Sequence, residues 1–191
     1  MTYEQFLDYP HENTHVEWVD GEVVPMAPVS DEHNELGGFL VTLLRHFVEH
    51  HHLGKLRYEP FQMKPAPDLP GRSPDILFVS TANLPRLKKN HLEGPADLVI
   101  EIISPDSRTR DRGEKFYEYE QAAVPEYWLL DPDRKQAEFY LRAQDGIYRP
   151  ATLQDSIFRS RSLPNLWLNV DWLFQRPLPT LMTILKEWKL I

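Results

Sequence analysis

The chain of 191 residues contains no cysteine, and this absence excludes several kinds of chemistry. Thiol nucleophiles, cysteine-ligated zinc, iron–sulfur clusters and disulfide bonds are all ruled out. Long apolar runs are also missing, whereas a membrane-spanning helix needs about 20 such residues. The N-terminal segment lacks the apolar core of a signal peptide. We therefore expect a water-soluble, cytoplasmic protein.

Positive charge is scarce as well. The chain has 21 Lys and Arg against 29 Asp and Glu, a net charge of -8. This balance excludes a histone-like binder that relies on bulk charge, although local basic patches stay open. Neither common type of glycine-rich phosphate loop is present, and no serine has an evident His–Asp pair. Nucleotide-driven chemistry and serine hydrolysis are therefore unsupported.

The patterns that are present predict one domain over residues 1–191, with a motif-bearing core at about 1–155 and a helical extension at about 164–191. Asp20-Gly21, between two alternating apolar runs, predicts a hairpin within 16–28. Apolar residues at helical spacing predict a helix over 32–52. Further elements are expected as strands at 55–65, 74–80, 96–105 and 126–131, a helix at 107–122, and short helices at 2–8, 169–175 and 180–189. This order predicts a mixed α/β fold, a central β-sheet flanked by helices.

Glu101 is the most informative residue because it interrupts the apolar run Leu98–Ile103. A strand of this composition is typical of burial on both sheet faces. An isolated carboxylate there costs several kcal/mol unless it is paired, hydrogen-bonded or protonated. Asp75 begins the neighbouring apolar run, so two strand-borne carboxylates can form a site for a hard cation such as Mg2+. The alternative is a buried salt bridge without a catalytic role.

Basic residues follow Glu101 on the predicted helix. Arg108, Arg112, Lys115 and Tyr119 recur at i, i+4, i+7 and i+11, which places them along one stripe. A basic stripe beside two carboxylates suits phosphodiester hydrolysis, in which a metal polarises a water and a lysine stabilises the developing charge. The alternative is a solvated helix face whose cations balance nearby acids.

Several separated motifs occur in one order along the chain. They are the hairpin with Glu17, Ser30-x-x-His33, Ser-Pro-Asp75-Ile, Val-Ile-Glu101-Ile-Ile-Ser-Pro, Asp111-x-x-x-Lys115-x-x-x-Tyr119 and Val-Pro-Glu126-Tyr-Trp-Leu-Leu-Asp131. In this order they resemble the Uma-two family, restriction-endonuclease-like proteins of the PD-(D/E)XK nuclease superfamily. The resemblance covers about residues 1–155.

The resemblance implies a restriction-endonuclease-like core and a Mg2+-dependent endonuclease that hydrolyses DNA, with Mn2+ as an alternative cation. It assigns Asp75 and Glu101 as metal ligands. The superfamily lysine two residues after the acid is replaced by Ile103 here, and we expect Lys115 to substitute for it. Nucleases of this superfamily often work as dimers, so a homodimer is expected too.

Two further residues are candidates for the catalytic site. Glu17 is a candidate ligand or base, or else a polar residue on the exposed side of a hairpin. His33 can hydrogen-bond a phosphate or shuttle protons, or else serve only as a capping or surface residue.

Two other functions stay open. One is a catalytically weak or inactive nuclease-fold protein that acts as a DNA-binding or regulatory module, which the net charge and Ile103 favour. The other is an unrelated α/β protein whose Glu101–Lys115 pair is purely structural. DNA binding by an acidic protein requires concentrated positive charge, and the candidates are Arg108, Arg110, Arg112 and Lys115, with Arg86, Lys88 and Lys89 on a separate loop.

Overall fold

A computed structural model describes residues 1–8, 15–105 and 107–191. The helices are α1 (Tyr3–Asp8), α2 (Asp31–His50), α3 (Arg108–Arg112), α4 (Glu114–Gln121) and α5 (Leu181–Glu187), with 3-10 turns at Thr81–Arg86 and Val170–Leu173. The strands are β1 (Val16–Val19), β2 (Glu22–Pro25), β3 (Gly54–Tyr58), β4 (Gln62–Lys64), β5 (Ile76–Ser80), β6 (His91–Glu93), β7 (Leu98–Ile102), β8 (Glu126–Asp131), β9 (Gln136–Arg142), β10 (Tyr148–Pro150), β11 (Ile157–Arg159) and β12 (Trp167–Asn169). The predicted mixed α/β fold is confirmed.

The central sheet has six strands in the order β10-β9-β8-β7-β5-β3. Strands β7 and β8 run parallel, while the other neighbours are antiparallel. Every residue of β7 and β8 is buried, as their apolar sequences predict. A parallel pair needs a crossover connection, and α3 and α4 lie within it. The crossover therefore brings α4 against the strand that carries Glu101.

The two faces of the sheet have different cover. Helix α2 and the C-terminal segment pack on one face, where Leu40 joins Ile100 and Trp128 in an apolar core. The other face packs Val99 and Tyr127 together with α4. Because side chains alternate along a strand, Glu101 lies on the same face as Val99. Its carboxylate therefore points toward α4.

The predicted hairpin is confirmed as β1 and β2. Asp20 and Gly21 form its turn with φ of 50° and 86°, the left-handed conformation that a two-residue hairpin turn requires. Trp18 and Gly71 exchange two backbone hydrogen bonds of 2.9 and 2.8 Å. These bonds fix the hairpin against the loop before β5, so Glu17 lies beside Arg72.

Two predicted elements are divided. The single strand over 55–65 is wrong, because β4 leaves the central sheet and pairs with β6 instead, and Pro60 between β3 and β4 has no N–H to continue a ladder. The single helix over 107–122 is wrong too, because Gly113 separates α3 from α4 with φ −113° and ψ −91°. A Cβ on Gly113 would lie 2.8 Å from the Thr109 carbonyl oxygen. The break therefore depends on glycine.

Across the three described ranges, none of the helices combines the length and the apolar composition that crossing a bilayer would take. The cytoplasmic location and the single domain stay predictions.

Candidate active site

Glu101 is buried on β7, with 2% of its surface exposed. The Lys115 ammonium donates to its Oε1 at 2.9 Å, and the Tyr119 hydroxyl donates to the same oxygen at 2.8 Å. Burial raises the pKa of Glu101 well above the ordinary glutamate value, and the Lys115 charge offsets only part of that rise. The carboxylate also lines a cleft. Glu101 is therefore held firmly through one oxygen at the edge of a cavity.

Lys115 is the cation at the centre of the site. Its Nζ lies 2.9 Å from Glu101, 3.2 Å from Glu17 and 3.5 Å from Asp111. Burial by itself would lower the pKa of Lys115, but the surrounding carboxylates outweigh it and raise that pKa well above its ordinary value. Lys115 therefore stays an ammonium and acts as a fixed positive charge.

Asp75 immediately precedes β5 and faces the same cleft. Ile76 pairs with Ile100 in the antiparallel register, which places Asp75 beside Glu101. The Ile102 N–H donates to Asp75 Oδ2 at 2.6 Å. The backbone of β7, the strand that carries Glu101, therefore holds the Asp75 carboxylate. His33 Nε2 lies 3.4 Å from Asp75 Oδ1. The two carboxylates predicted as metal ligands are thus neighbours.

Arg72 forms a second charged layer around Lys115. It is 1% exposed and binds Glu17 at 2.9 Å and Glu118 at 2.6 Å. Burial raises the pKa of Glu17, but Lys115 and Arg72 outweigh it and lower that pKa below its ordinary value. Glu17 is therefore an ionised buried anchor between two cations. Sequence reasoning missed Arg72, because it occupies a loop without periodicity. The one signal that could have found it is the need of a buried Glu17 for a counter-ion.

The cleft has a volume of about 210 Å³. Two buried polar atoms of its lining residues have no hydrogen-bond partner within the described parts of the chain, Ser73 Oγ and Arg110 Nε. A third, Asp111 Oδ1, has only the ion pair with Lys115. Each such group costs roughly 1–3 kcal/mol when buried unpaired. Their convergence on one cavity favours a polar or charged occupant.

These residues fit a hydrated divalent cation. In the described ranges no three His, Asp or Glu side chains converge into a complete metal cage. Magnesium commonly takes only one or two carboxylates and keeps several waters. Asp75 and Glu101 supply two oxygen donors on the wall of one cleft, which matches that preference.

The predicted basic stripe is split by the break at Gly113. Lys115 and Tyr119 donate hydrogen bonds to Glu101. Arg108 and Arg112 instead lie 3.4 and 3.3 Å from Asp131. Arg112 also pairs with Glu138. On the separate loop, Lys88 pairs with Glu93 at 3.0 Å. Most of the predicted DNA-contacting cations are therefore engaged in internal ion pairs, while Arg110 lines the cleft.

Comparison with known proteins agrees with this architecture. A crystal structure described as "a putative nuclease belonging to DUF820", from Anabaena variabilis, matches with a TM-score of 0.74 and 19% identity, over 91% of this chain and 97% of that chain. At this identity the likeness shows that the two chains share a fold. No curated protein matches the sequence.

The family follows from the sequence itself. Residues 3–171 match the model of the Uma2 family, described as "Putative restriction endonuclease". The chain belongs to this family, as its motifs predict.

Proposed function

We propose that this protein is a divalent-metal-dependent endonuclease that hydrolyses DNA phosphodiester bonds. The observation that carries the proposal is the cleft on which Asp75 and Glu101 meet, with Lys115 bound to one of them. Family membership and the nuclease fold support the same class of reaction. The expected homodimer belongs to the proposal, because two such sites can cut two strands.

Asp75 and Glu101 would hold Mg2+ or Mn2+. A divalent cation bound there would supply Lewis-acid chemistry, lowering the pKa of a bound water and polarising a phosphate oxygen. Asp75 is oriented for this task by the Ile102 N–H, and Glu101 by Lys115 and Tyr119. Hydrogen bonds within the protein thus hold both proposed ligands.

The remaining side chains have distinct tasks in this proposal. Arg110, with a buried Nε on the cleft wall, contacts phosphate oxygens through charge-assisted hydrogen bonds. His33 orients Asp75 from 3.4 Å, which makes it a positioning residue. Glu17 holds Lys115 and Arg72 in place, and we assign it that role rather than that of a ligand or base.

A second function has an observation in its favour. Lys115 is surrounded by three carboxylates, so its charge is already balanced, and Ile103 stands where the superfamily has its lysine. These features favour a weak or inactive nuclease that acts as a DNA-binding or regulatory module.

Cleavage assays separate the two functions. Supercoiled plasmid and single-stranded DNA are incubated with Mg2+, Mn2+ or EDTA and with wild type, Asp75→Asn, Glu101→Gln or Glu126→Gln. Glu126 is a matched control, since it is another buried glutamate on the next strand. We expect metal-dependent cutting by wild type and Glu126→Gln, and none by the two other variants. DNA binding without any cutting by wild type would overturn the endonuclease in favour of the regulatory module.

A further inference from the structure

A furrow between α2 and the edge strand β3 continues from the candidate active site. Its volume is about 430 Å³, within the roughly 300–1,000 Å³ that is typical of small-ligand sites. It shares with the cleft the lining residues Val29, His33, Glu59, Asp75 and Ile102. A chain bound at the cleft can therefore extend directly into the furrow.

The wall that α2 contributes is open at Gly38. A Cβ there would meet no atom within 4 Å, and one at the neighbouring Gly37 would touch only Ile102, at 3.5 Å. Glycine inside a helix costs about 1 kcal/mol relative to alanine, and packing does not require it at Gly38. The missing side chain leaves room in the furrow, next to the candidate metal ligands.

Positively charged side chains lie just beyond the furrow residues along α2 and just before Tyr58 along β3. Arg45, Lys55 and Arg57 line a separate hollow of about 330 Å³, together with Glu49. Because side chains alternate along β3, Lys55 and Arg57 project from the face opposite Tyr58. Among described residues none of these three cations takes part in a salt bridge, in contrast to Arg72, Lys88 and Arg112. In a protein of net charge -8, such a group creates a local positive potential that attracts phosphates.

Tyr58 connects the two parts of the surface. Its ring lines the furrow and is 48% exposed, and the Arg45 guanidinium lies 5.4 Å from the ring centroid. An exposed aromatic ring beside a cation is a typical platform for a single-stranded nucleic acid, because the ring stacks on a base while the cation contacts the backbone.

We infer that the furrow binds a single DNA strand on one side of the scissile phosphate. Tyr58 stacks on a base, and Arg45, whose guanidinium lies against the Tyr58 ring, contacts the backbone. The α2 residues that line the furrow run from His33 to Thr42, a length of roughly 14 Å at 1.5 Å per residue. The assignment of the scissile phosphate rests on the proposed function.

The test measures strand binding and cleavage separately. Fluorescence anisotropy of a labelled single-stranded oligonucleotide in EDTA gives affinity without cutting, and the same strand in Mg2+ gives the cleavage rate. Gly38→Leu fills the furrow, with Gly38→Ala as its matched control. Arg45→Glu reverses a furrow charge, with Lys186→Glu making the same charge change on the exposed side of α5.

We expect Gly38→Leu and Arg45→Glu to weaken binding at least about tenfold, and both controls to stay within about twofold of wild type. Arg45→Ala should reduce the slope of log affinity against log salt by about 0.7, the value for one single-strand phosphate contact. Circular dichroism melting establishes that each variant is folded, and light scattering gives its oligomeric state.

Each outcome decides the inference. Normal binding and cutting by Gly38→Leu and Arg45→Glu would overturn the proposal that the furrow binds a strand, without contradicting the proposed nuclease activity. Loss of binding in those variants, with a wild type that binds but never cuts, would support strand binding by the furrow and overturn the proposed nuclease activity. A wild type that binds no strand would refute the furrow. A changed oligomeric state at unchanged strand affinity would assign the furrow to a protein interface instead.

Discussion

Glu101 and Glu126 are both buried, on the neighbouring parallel strands β7 and β8, yet their surroundings differ. Glu126 accepts hydrogen bonds on both oxygens, from the Trp128 indole at 2.7 Å and from the Arg161 and Ser162 N–H groups at 2.8 and 2.7 Å. All three donors are uncharged: one indole N–H and two backbone N–H groups. The Glu126 region is therefore a closed structural site.

The Glu101 region is open by comparison. Both hydrogen bonds that described side chains give to Glu101 end on Oε1, and the carboxylate faces a cleft with unpartnered polar atoms. Burial alone therefore does not distinguish the proposed metal ligand from a structural carboxylate. The distinguishing features are an incomplete set of partners and access to a cavity.

The largest expected difference between the two glutamates is in catalysis. Glu101→Gln removes a proposed metal ligand, and the loss of several kcal/mol of transition-state stabilisation corresponds to about a thousandfold lower cleavage rate. Glu126→Gln should change the rate by less than about threefold. Single-turnover cleavage in Mg2+ measures both. Equal losses in the two variants would show that the comparison does not separate catalytic from structural glutamates.

Removing the cation at the open site should mainly reduce stability. Lys115→Met leaves Glu17, Glu101 and Asp111 without their shared counter-ion, and such broken buried pairs cost about 3–5 kcal/mol. Urea unfolding in EDTA gives the change in the free energy of unfolding. The double variant with Glu101→Gln should lose less than the sum of the two single losses. Strict additivity would contradict the coupling that these contacts indicate.

The closed site should contribute stability without contributing to the reaction. Glu126→Ala leaves the indole of Trp128 and two backbone N–H groups without their acceptor, a loss of about 2–3 kcal/mol in the free energy of unfolding. We expect the cleavage rate per folded molecule to stay unchanged. Glu126→Gln, which keeps the size of the side chain and one acceptor oxygen, is the milder control. A lower rate in fully folded Glu126→Ala would mean that the closed site also serves catalysis.

The smallest expected effect concerns the outer half of the basic stripe. Arg112→Ala removes a partly exposed partner of Asp131 and Glu138, which is worth about 1 kcal/mol. For a chain of this size the melting temperature should fall by about 2–4 °C. Cleavage should persist. A strong loss of cleavage with normal stability would show that Arg112 contacts the substrate, as first predicted.

The loss of stability in Arg112→Ala should depend on pH, and the direction of that dependence follows from Asp131. Burial raises the pKa of Asp131, but the Arg134 N–H and the guanidinium groups of Arg108 and Arg112 outweigh it and lower the pKa below its ordinary value. The pair therefore stabilises the fold above the ordinary aspartate pKa of about 3.9, and its contribution disappears as the pH falls through the lowered value. The difference between wild type and Arg112→Ala should shrink in acid.

Local patterns predicted the parts of this molecule that depend on local physics. The hairpin at Asp20-Gly21, the helix α2 and the buried strands β7 and β8 follow from turn chemistry and apolar periodicity. The pairing of Glu101 with Lys115 was expected from the motif order. The break at Gly113 was missed, because a lone glycine in a helical pattern does not by itself show where the chain must turn away.

Long-range partners were harder to predict. Arg72 lies 55 positions from Glu17, and no periodicity connects a loop arginine to a hairpin glutamate. The three short strands β6, β11 and β12 were also missed, because each has only three residues and too few positions to show alternation. The open furrow beside α2 depends on tertiary packing and has no local signature.

The docking of the β1–β2 hairpin onto Gly71 has a consequence for folding. Glu17 emerges early during synthesis, but its partners Arg72 and Lys115 follow it by 55 and nearly 100 positions along the chain. Contacts of such sequence separation form late, since the chain must first pay the entropy of closing long loops. The charge cluster is therefore completed only when the tertiary structure is. A nascent or partly unfolded copy therefore lacks this charge cluster, which couples the proposed activity to the integrity of the fold.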